Sequence, residues 1–309
     1  MSTVNATRSA KPGRATPPRP GKRVTPSGQL LRKHKEKRSP WHWVLLVLIA
    51  VVALVVVAPL LLILLNSFKS PDDYNHAGPL SFPTHLYFDG LKTFWTRVDF
   101  PVKLLNSIYI SGVVAVLAVL ISVLNAYALG IGRIKGRLPL VVVFLLANML
   151  PQEALLYPLY NEAKAVGLYD NQWSVIIIFT VIQSAFGTYL LSSVYSTFPR
   201  ELLEAAAVDG AGHWRVLWKI VVPVSWQTLS VLLIFFFIWT WNEFLIPVAF
   251  LVSNSKQTVP LAVASLQGDR LMDVTTTSAA ALLGLIPTLV FFLIFQRTLT
   301  RGVTAGAVK

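Results

Sequence analysis

The sequence has no cysteine among its 309 residues, and only 14 of them are Asp or Glu. The first absence excludes disulfides, thiolate nucleophiles and Cys-ligated metals, and leaves the redox compartment open. The second makes charge scarce. Charged residues form 13% of the chain and hydrophobic residues 54%, whereas soluble domains carry about 25% charge. The five histidines, His34, His42, His76, His85 and His213, are scattered without metal-ligand spacing. A phosphate-cradling loop is also missing. Gly132 and Gly136 lie in a basic stretch, but no Gly-Lys-Ser/Thr follows them, so the chain is not expected to hydrolyse ATP. No paired His or Asp dyad sits in an apolar run, which removes the basis for a membrane enzyme.

What remains is long apolar segments. Residues 43–68, 104–132, 171–199, 220–242 and 274–296 carry no charge, and 138–160 carries only Glu153. A span needs about 20 mostly apolar residues, and continuous apolarity excludes the alternation of a membrane barrel. The expectation is an all-α membrane protein of six transmembrane helices, at about 43–67, 104–130, 138–161, 173–196, 224–251 and 275–296. The first run is too long for a signal-peptide core and is read as an uncleaved helix, with Pro59 marking a kink or a packing site. Residues 1–40 hold eleven Lys or Arg and are rich in Pro, Ser, Thr and Gly, so they read as a disordered basic tail before a permease domain at 41–309.

Net charge is +13, but its concentration beside the first span points to lipid contact and orientation, not to nucleic acid. With the N-terminus cytoplasmic, 20 of the 27 Lys and Arg fall on the inner side. The positive-inside rule therefore selects N-in, C-in, which puts the polar stretch after the fourth span in the cytoplasm.

That stretch reads Glu204-Ala-Ala-Ala-Val-Asp-Gly210, with Ile220-Val-Val-Pro223 nine residues later. Pro199 suits a first helical turn, Glu201 and Glu204 complement the helix dipole, and alanines favour helix. Gly210 and Gly212 offer left-handed backbone for termination. A second piece, 213–222, carries Trp214, Leu217 and Trp218 on one side, and Pro223 resets the chain. The whole resembles the EAA loop of ABC importer permeases: EAA, three residues, Gly, nine residues, Ile, any residue, Leu, Pro. Val222 stands where the family usually has Leu. Asn66-Ser67-Phe68-Lys69, Asn106-Ser107, Trp241-Asn242-Glu243-Phe244 and the C-terminal 296–309 resemble the carbohydrate-uptake, maltose-type subfamily.

The resemblance implies a type I ABC importer permease fold in a bacterial or archaeal cytoplasmic (inner) membrane. It implies a cytoplasmic coupling helix in which Glu204, Ala205, Ala206, Asp209, Gly210, Ile220 and Pro223 engage a separate ATPase dimer. ATP and magnesium belong to that partner, and this chain binds no cofactor of its own. The other implied partners are a second permease subunit in a heterodimer, an extracellular substrate-binding protein, and a sugar or oligosaccharide. The outer stretch Ser253, Asn254, Ser255, Lys256 is the implied contact for the binding protein, and 302–309 the implied companion of the ATPase.

Sugar recognition needs amides and carboxylates for hydroxyls and aromatic rings for faces. Asn148, Gln152, Glu153, Gln183, Asn242 and Glu243 are the candidates along a substrate pathway, because polar groups within a span face a cavity or the bundle interior. Asn148 and Gln183 equally suit interhelical hydrogen bonds, and Trp239, Trp241 and Phe244 suit an aromatic belt. An ion-coupled secondary transporter, with Glu153 and Glu243 as titrating groups, is the alternative. It leaves the EAA spacing without a reason.

Overall fold

The computed structural model describes residues 40–132, 134–265 and 273–305. The basic tail before residue 40 and the last four residues of the C-terminal stretch lie outside the described residues, as do the side chains of 299–305. All regular structure among the described residues is helical. The chain forms two compact units, residues 1–57 and 58–309.

The described part of the first unit is the N-terminal portion of α1 (Pro40–Asn66). Its side chains are apolar on every face, and Val44, Leu48, Val52 and Val55 are all more than half exposed. A helix apolar all round has no stable water-facing side, so it belongs in lipid. α1 continues as one helix through Pro59, and that proline is exposed, so it is not a packing site within this chain.

The second unit continues with α2 (Pro71–Ala77), α3 (Asp89–Arg97) and α4 (Phe100–Ala126), which runs on as a π-turn to Ile131. Then come α5 (Arg137–Asn148), α6 (Gln152–Ala165), α7 (Gln172–Ser196), α8 (Arg200–Val208) and α9 (His213–Val216). After a π-turn over Leu217–Val221 follow α10 (Val222–Val224), α11 (Trp226–Trp241), α12 (Leu245–Phe250), α13 (Val259–Ser265) and α14 (Val274–Ala305).

α4 and α7 form the spine. Ile110 and Val114 pack near Ile176 and Phe179, Ser122 Oγ donates to the Ser184 carbonyl at 3.2 Å, and Asn125 Nδ2 donates to Thr188 Oγ1 at 3.3 Å. Residue numbers rise together along both, so the two helices are parallel. Lipid offers no hydrophobic gain for joining apolar helices, so close packing must hold them. The sequence supplies it with a buried stripe of small residues on α4: Ser111, Ala115, Ala118, Ser122 and Ala126. Opposite lies Gly187, where an added Cβ would stand 2.2 Å from Ser122 Oγ and 3.0 Å from Phe236 Cζ. α11 runs antiparallel to α7: Gln183 meets Thr240, and Tyr195 meets Ser225.

Because α4 and α7 are parallel, α5 and α6 must carry the chain back between them. They do so as a pair bent by 93°, which divides the helix expected over 138–161. Pro151, at φ −65° and ψ 131°, causes the break, since a proline disfavours helix in the residue before it. The helix expected over 224–251 is also divided. α9–α10 and α11 meet at 78° around Ser225, just after Pro223. A second break at 242–244 precedes Pro247, whose ring would clash with the Glu243 carbonyl in a continuous helix. Among the described residues four helices are long and apolar enough to cross a membrane, and the two bent pairs raise this to six if each pair is one span.

Candidate functional site

The loop after α7 is built as a helix with a firm stop. Pro199 is the residue capping α8, one place before the expected first turn, with φ −56° and ψ 120°. At the other end Gly210 takes φ +68°, a conformation that Cβ-bearing residues resist by about 1–2 kcal/mol. The Gly210 N–H donates to the Ala207 carbonyl at 3.1 Å, and the Ala211 N–H to the Ala206 carbonyl at 2.9 Å. These two bonds close the last turn in the Schellman manner. Gly212 does not share the expected left-handed backbone: at φ −69° and ψ 163° it is extended and starts α9.

The helix is anchored by one alanine. Ala206 is buried in a cluster with Val216, Leu217, Val221, Tyr195 and Ala126. Ile220 and Val222 pack partly against the same cluster, so the Val in the usual Leu position still fills apolar space. Glu204, Ala205, Ala207, Asp209 and Pro223 remain exposed. Beside them lie Leu202, 42% exposed, Val208, 88%, and Trp214, 67%. Such exposure of apolar side chains around a smooth alanine face marks a contact surface. Glu204 also lines an open pocket of about 230 Å³ with Gly130, Tyr195, Phe198 and Arg200. The grouping expected for Trp214, Leu217 and Trp218 is corrected: Leu217 is buried while both tryptophans are exposed, and the α-helical spacing that would group them ends at Val216, where a π-turn over Leu217–Val221 takes over.

The pathway candidates divide. Gln183 is fully buried and donates through Nε2 to Thr240 Oγ1 at 2.8 Å, joining α7 to α11. Asn148 and Asn242 each donate to their own helix, at the Phe144 and Ile238 carbonyls, both at 2.7 Å. Trp241 is buried and stacks on Phe237, so it is a packing residue and not part of a belt. The structure does bring Glu153 and Glu243 within electrostatic reach of one another. They stand at the two helix breaks, Glu153 exposed beside half-buried Gln152, and Glu243 half-buried. Glu243 and Asn242 line an open pocket of about 380 Å³ with Phe235, Ile238 and Trp239. This places one carboxylate, Glu243, beside an aromatic wall of Phe235 and Trp239 at the opening.

The stretch 253–258 is not a free loop. Ser253 gives its backbone N–H to Asp170 Oδ1 at 2.9 Å and its hydroxyl to Oδ2. Lys256 Nζ lies 3.1 Å from Asp170 Oδ2. The two Ser253 bonds, then Lys256, outweigh the opposing effect of burial and hold the Asp170 carboxyl at about 2. Lys103 donates to the Asn254 carbonyl and side-chain oxygen. Of the four residues Ser253, Asn254, Ser255 and Lys256, only Asn254 and Ser255 are exposed. The ties from Asp170, Lys103, Asn106 and Gln172 to this stretch were not legible in the sequence, since a lone polar residue in a turn or helix end carries no pattern that names a partner far along the chain.

Residues 133–305 match the family described as binding-protein-dependent transport system inner membrane component. A lactose transport system permease protein from Rhizobium radiobacter is 34% identical over 75% of this chain and 84% of that protein. A trehalose transport system permease protein from Mycobacterium tuberculosis is 32% identical over 74% and 84%. A diacetylchitobiose uptake system permease protein from Streptomyces coelicolor is 27% identical over 83% and 85%. Among solved structures, a bacterial ABC transporter involved in the import of the acidic polysaccharide alginate shares the fold, with TM-score 0.72 and 21% identity over 84% of this chain and 96% of that one. With the matched family region covering more than half of its length, the chain belongs to the binding-protein-dependent transport system inner membrane components, the permeases of ABC importers.

Proposed function

We propose that this chain is the membrane-spanning permease subunit of an ATP-driven, binding-protein-dependent sugar importer, and that α8 is its coupling helix. The observation that carries the reading is the division of the EAA-type motif: Ala206 is sunk into the core while Glu204, Ala205 and Asp209 are presented outward. A helix held this way transmits a push from a docked partner into α4, α7 and α11 as a unit. The partner is an ATPase dimer, which holds ATP and magnesium. The sugar assignment draws on relatives whose names specify lactose, trehalose and diacetylchitobiose.

In this reading each bent pair is one crossing, giving six spans with N-in, C-in orientation in the inner membrane. The parallel course of α4 and α7 supports the α5–α6 crossing. A second permease subunit completes the translocation path, Glu153, Glu243, Asn242 and Gln152 border this chain's share of it, and an external binding protein delivers the sugar to the side that carries 253–258. Gln183 and Asn148 are assigned to packing. Ion coupling through Glu153 and Glu243 is disfavoured because it gives the exposed α8 surface no task.

The test is to purify the chain after expression with its ATPase and to reconstitute uptake. Glu204→Lys and Gly210→Pro are expected to leave membrane insertion intact and to abolish ATP-driven uptake, through loss of the ATPase or loss of coupling. Normal uptake by both variants at normal expression would refute the assignment.

A further inference from the structure

The side of the second unit opposite α8 is held together by an unusual density of tertiary hydrogen bonds. Two separate segments converge on 253–259. From the first turns of α4, Lys103 binds both oxygens of Asn254. One turn on, both hydrogens of the Asn106 amide are used, to the Ser255 carbonyl at 2.8 Å and the Gln257 carbonyl at 2.9 Å. Ser107 Oγ accepts the Val259 N–H at 2.9 Å. From the turn before α7, Gln172 Nε2 reaches the Lys256 carbonyl at 3.4 Å, and Asp170 takes the Ser253 N–H, the Ser253 hydroxyl and the Lys256 ammonium together.

Two features show that this junction is built, not incidental. Lys103 is fully buried, and a buried ammonium is tolerated only where acceptors replace its water. Asp170 holds φ +52°, a left-handed backbone that non-glycine residues adopt only when surroundings enforce it. That backbone aims one carboxylate at three donors. The result leaves 253–258 with its carbonyls tied to α4 and its first and fourth side chains tied to Asp170. Asn254 and Ser255 are exposed, and the Lys256 side chain, though held by Asp170, is partly so.

We infer that Asp170 is a positioning residue for docking: by clamping Ser253 and Lys256 it fixes 253–258 in one shape before the external partner arrives. This rests on the reading of that stretch as a binding-protein contact. A flexible loop must lose conformational freedom on binding, and prior fixation removes that cost and raises affinity. The clamp therefore acts on partner affinity, through Ser253 and Lys256, and leaves the turnover of the docked complex to α8 and the ATPase.

The experiment uses the complete reconstituted transporter and its binding protein, with ATPase activity measured against binding-protein concentration. Asp170→Asn keeps shape and removes the charge. The expected result is a KM for the binding protein raised about tenfold, as loss of charge-assisted hydrogen bonds implies, with kcat and unstimulated ATPase activity unchanged. Asp170→Glu, which keeps the charge, is expected to recover part of the affinity. Hydrogen exchange of the 253–258 amides, read on the same samples, should accelerate in Asp170→Asn. Unchanged exchange, or a loss of kcat at constant KM, overturns the inference. Should Asp170→Asn fail to assemble, Ser253→Ala removes one donor from the opposite side and the same two readouts apply. Replacing 253–258 by a Gly/Ser linker separates the two levels. If the linker leaves KM unchanged, the stretch is no binding-protein contact and the docking role of Asp170 falls with it. If the linker raises KM and Asp170→Asn does not, only the clamp is refuted.

Discussion

The two ends of the second unit are built on opposite principles. The end carrying α8 is held by apolar and small side chains: Ala206, Val216, Leu217 and Val221 fit against Ala126 and Tyr195. The end carrying 253–258 is held by polar bonds that join residues 83 positions apart, as in Asp170 to Ser253, or 151 apart, as in Lys103 to Asn254. Both ends are loop-rich, and loop backbone needs hydrogen-bond partners where lipid gives way to water. At the α8 end, helix and Schellman closure satisfy the backbone locally, so side chains remain for packing inward and, in the proposed reading, for docking outward. At the other end the backbone is irregular and side chains from elsewhere supply the missing partners. The first design tolerates a moving neighbour pushing on one face. The second resists deformation.

The largest effect that separates the two is expected from the apolar end. Leu217 is 2% exposed, and Leu217→Ala should cost about 2–5 kcal/mol, as buried Leu truncations do. Thermal unfolding of the purified protein in detergent reads this. Hydrogen exchange at 253–258 should stay as in the parent protein below the transition, and an equal loosening there would erase the contrast.

A smaller effect is expected along the spine that links the ends. Gly187→Ala places a methyl group 2.2 Å from Ser122 Oγ and 2.9 Å from Ser122 Cβ, an overpacking worth about 1–3 kcal/mol. Adding Ser122→Gly should recover most of the loss in the same unfolding measurement. No recovery would mean that the α4–α7 approach is set by other contacts.

The smallest effect is a dependence on pH that touches one end only. The Asp170 carboxyl is depressed to about 2, first by the Ser253 bonds. A depressed carboxyl adds stability above its unfolded value, about 3.9, and loses it as pH falls toward the folded value. Exchange protection of the 253–258 amides should therefore hold from pH 7 to about 5 and fade below about 4. Protection around Ala206 and Val216 should not follow that curve. Fading already between pH 7 and 6 would show that another group controls the junction.

What the sequence made legible follows the same division. The stop at Gly210 was readable because a glycine at that distance from an alanine run is a local signal. The break at Pro151 was readable for the same reason, though not the 93° turn it produces, which depends on what α5 and α6 pack against. Gln183 could be named as a polar residue deep in a span, but its partner Thr240 lies 57 residues away. Glu153 and Glu243 stood out as carboxylates in apolar runs. That Glu153 comes within electrostatic reach of Glu243 emerges only from the fold.

By itself the sequence determined the class of the protein, the places where apolar helices run, and the short alanine-rich helix that stops at Gly210. Each of these is written in the order of neighbouring residues: hydrophobic runs long enough for lipid, prolines that interrupt, an alanine helix closed by glycine. The tertiary structure alone decided which face of that helix is anchored through Ala206, which distant residue Gln183 meets, and that Asp170 and Lys103 hold a loop far along the chain. Those outcomes depend on the parallel course of α4 and α7, which brings the start of each beside 253–258. A hydrogen bond is specific over about 3 Å, and no local pattern encodes which distant atoms the fold will bring within it.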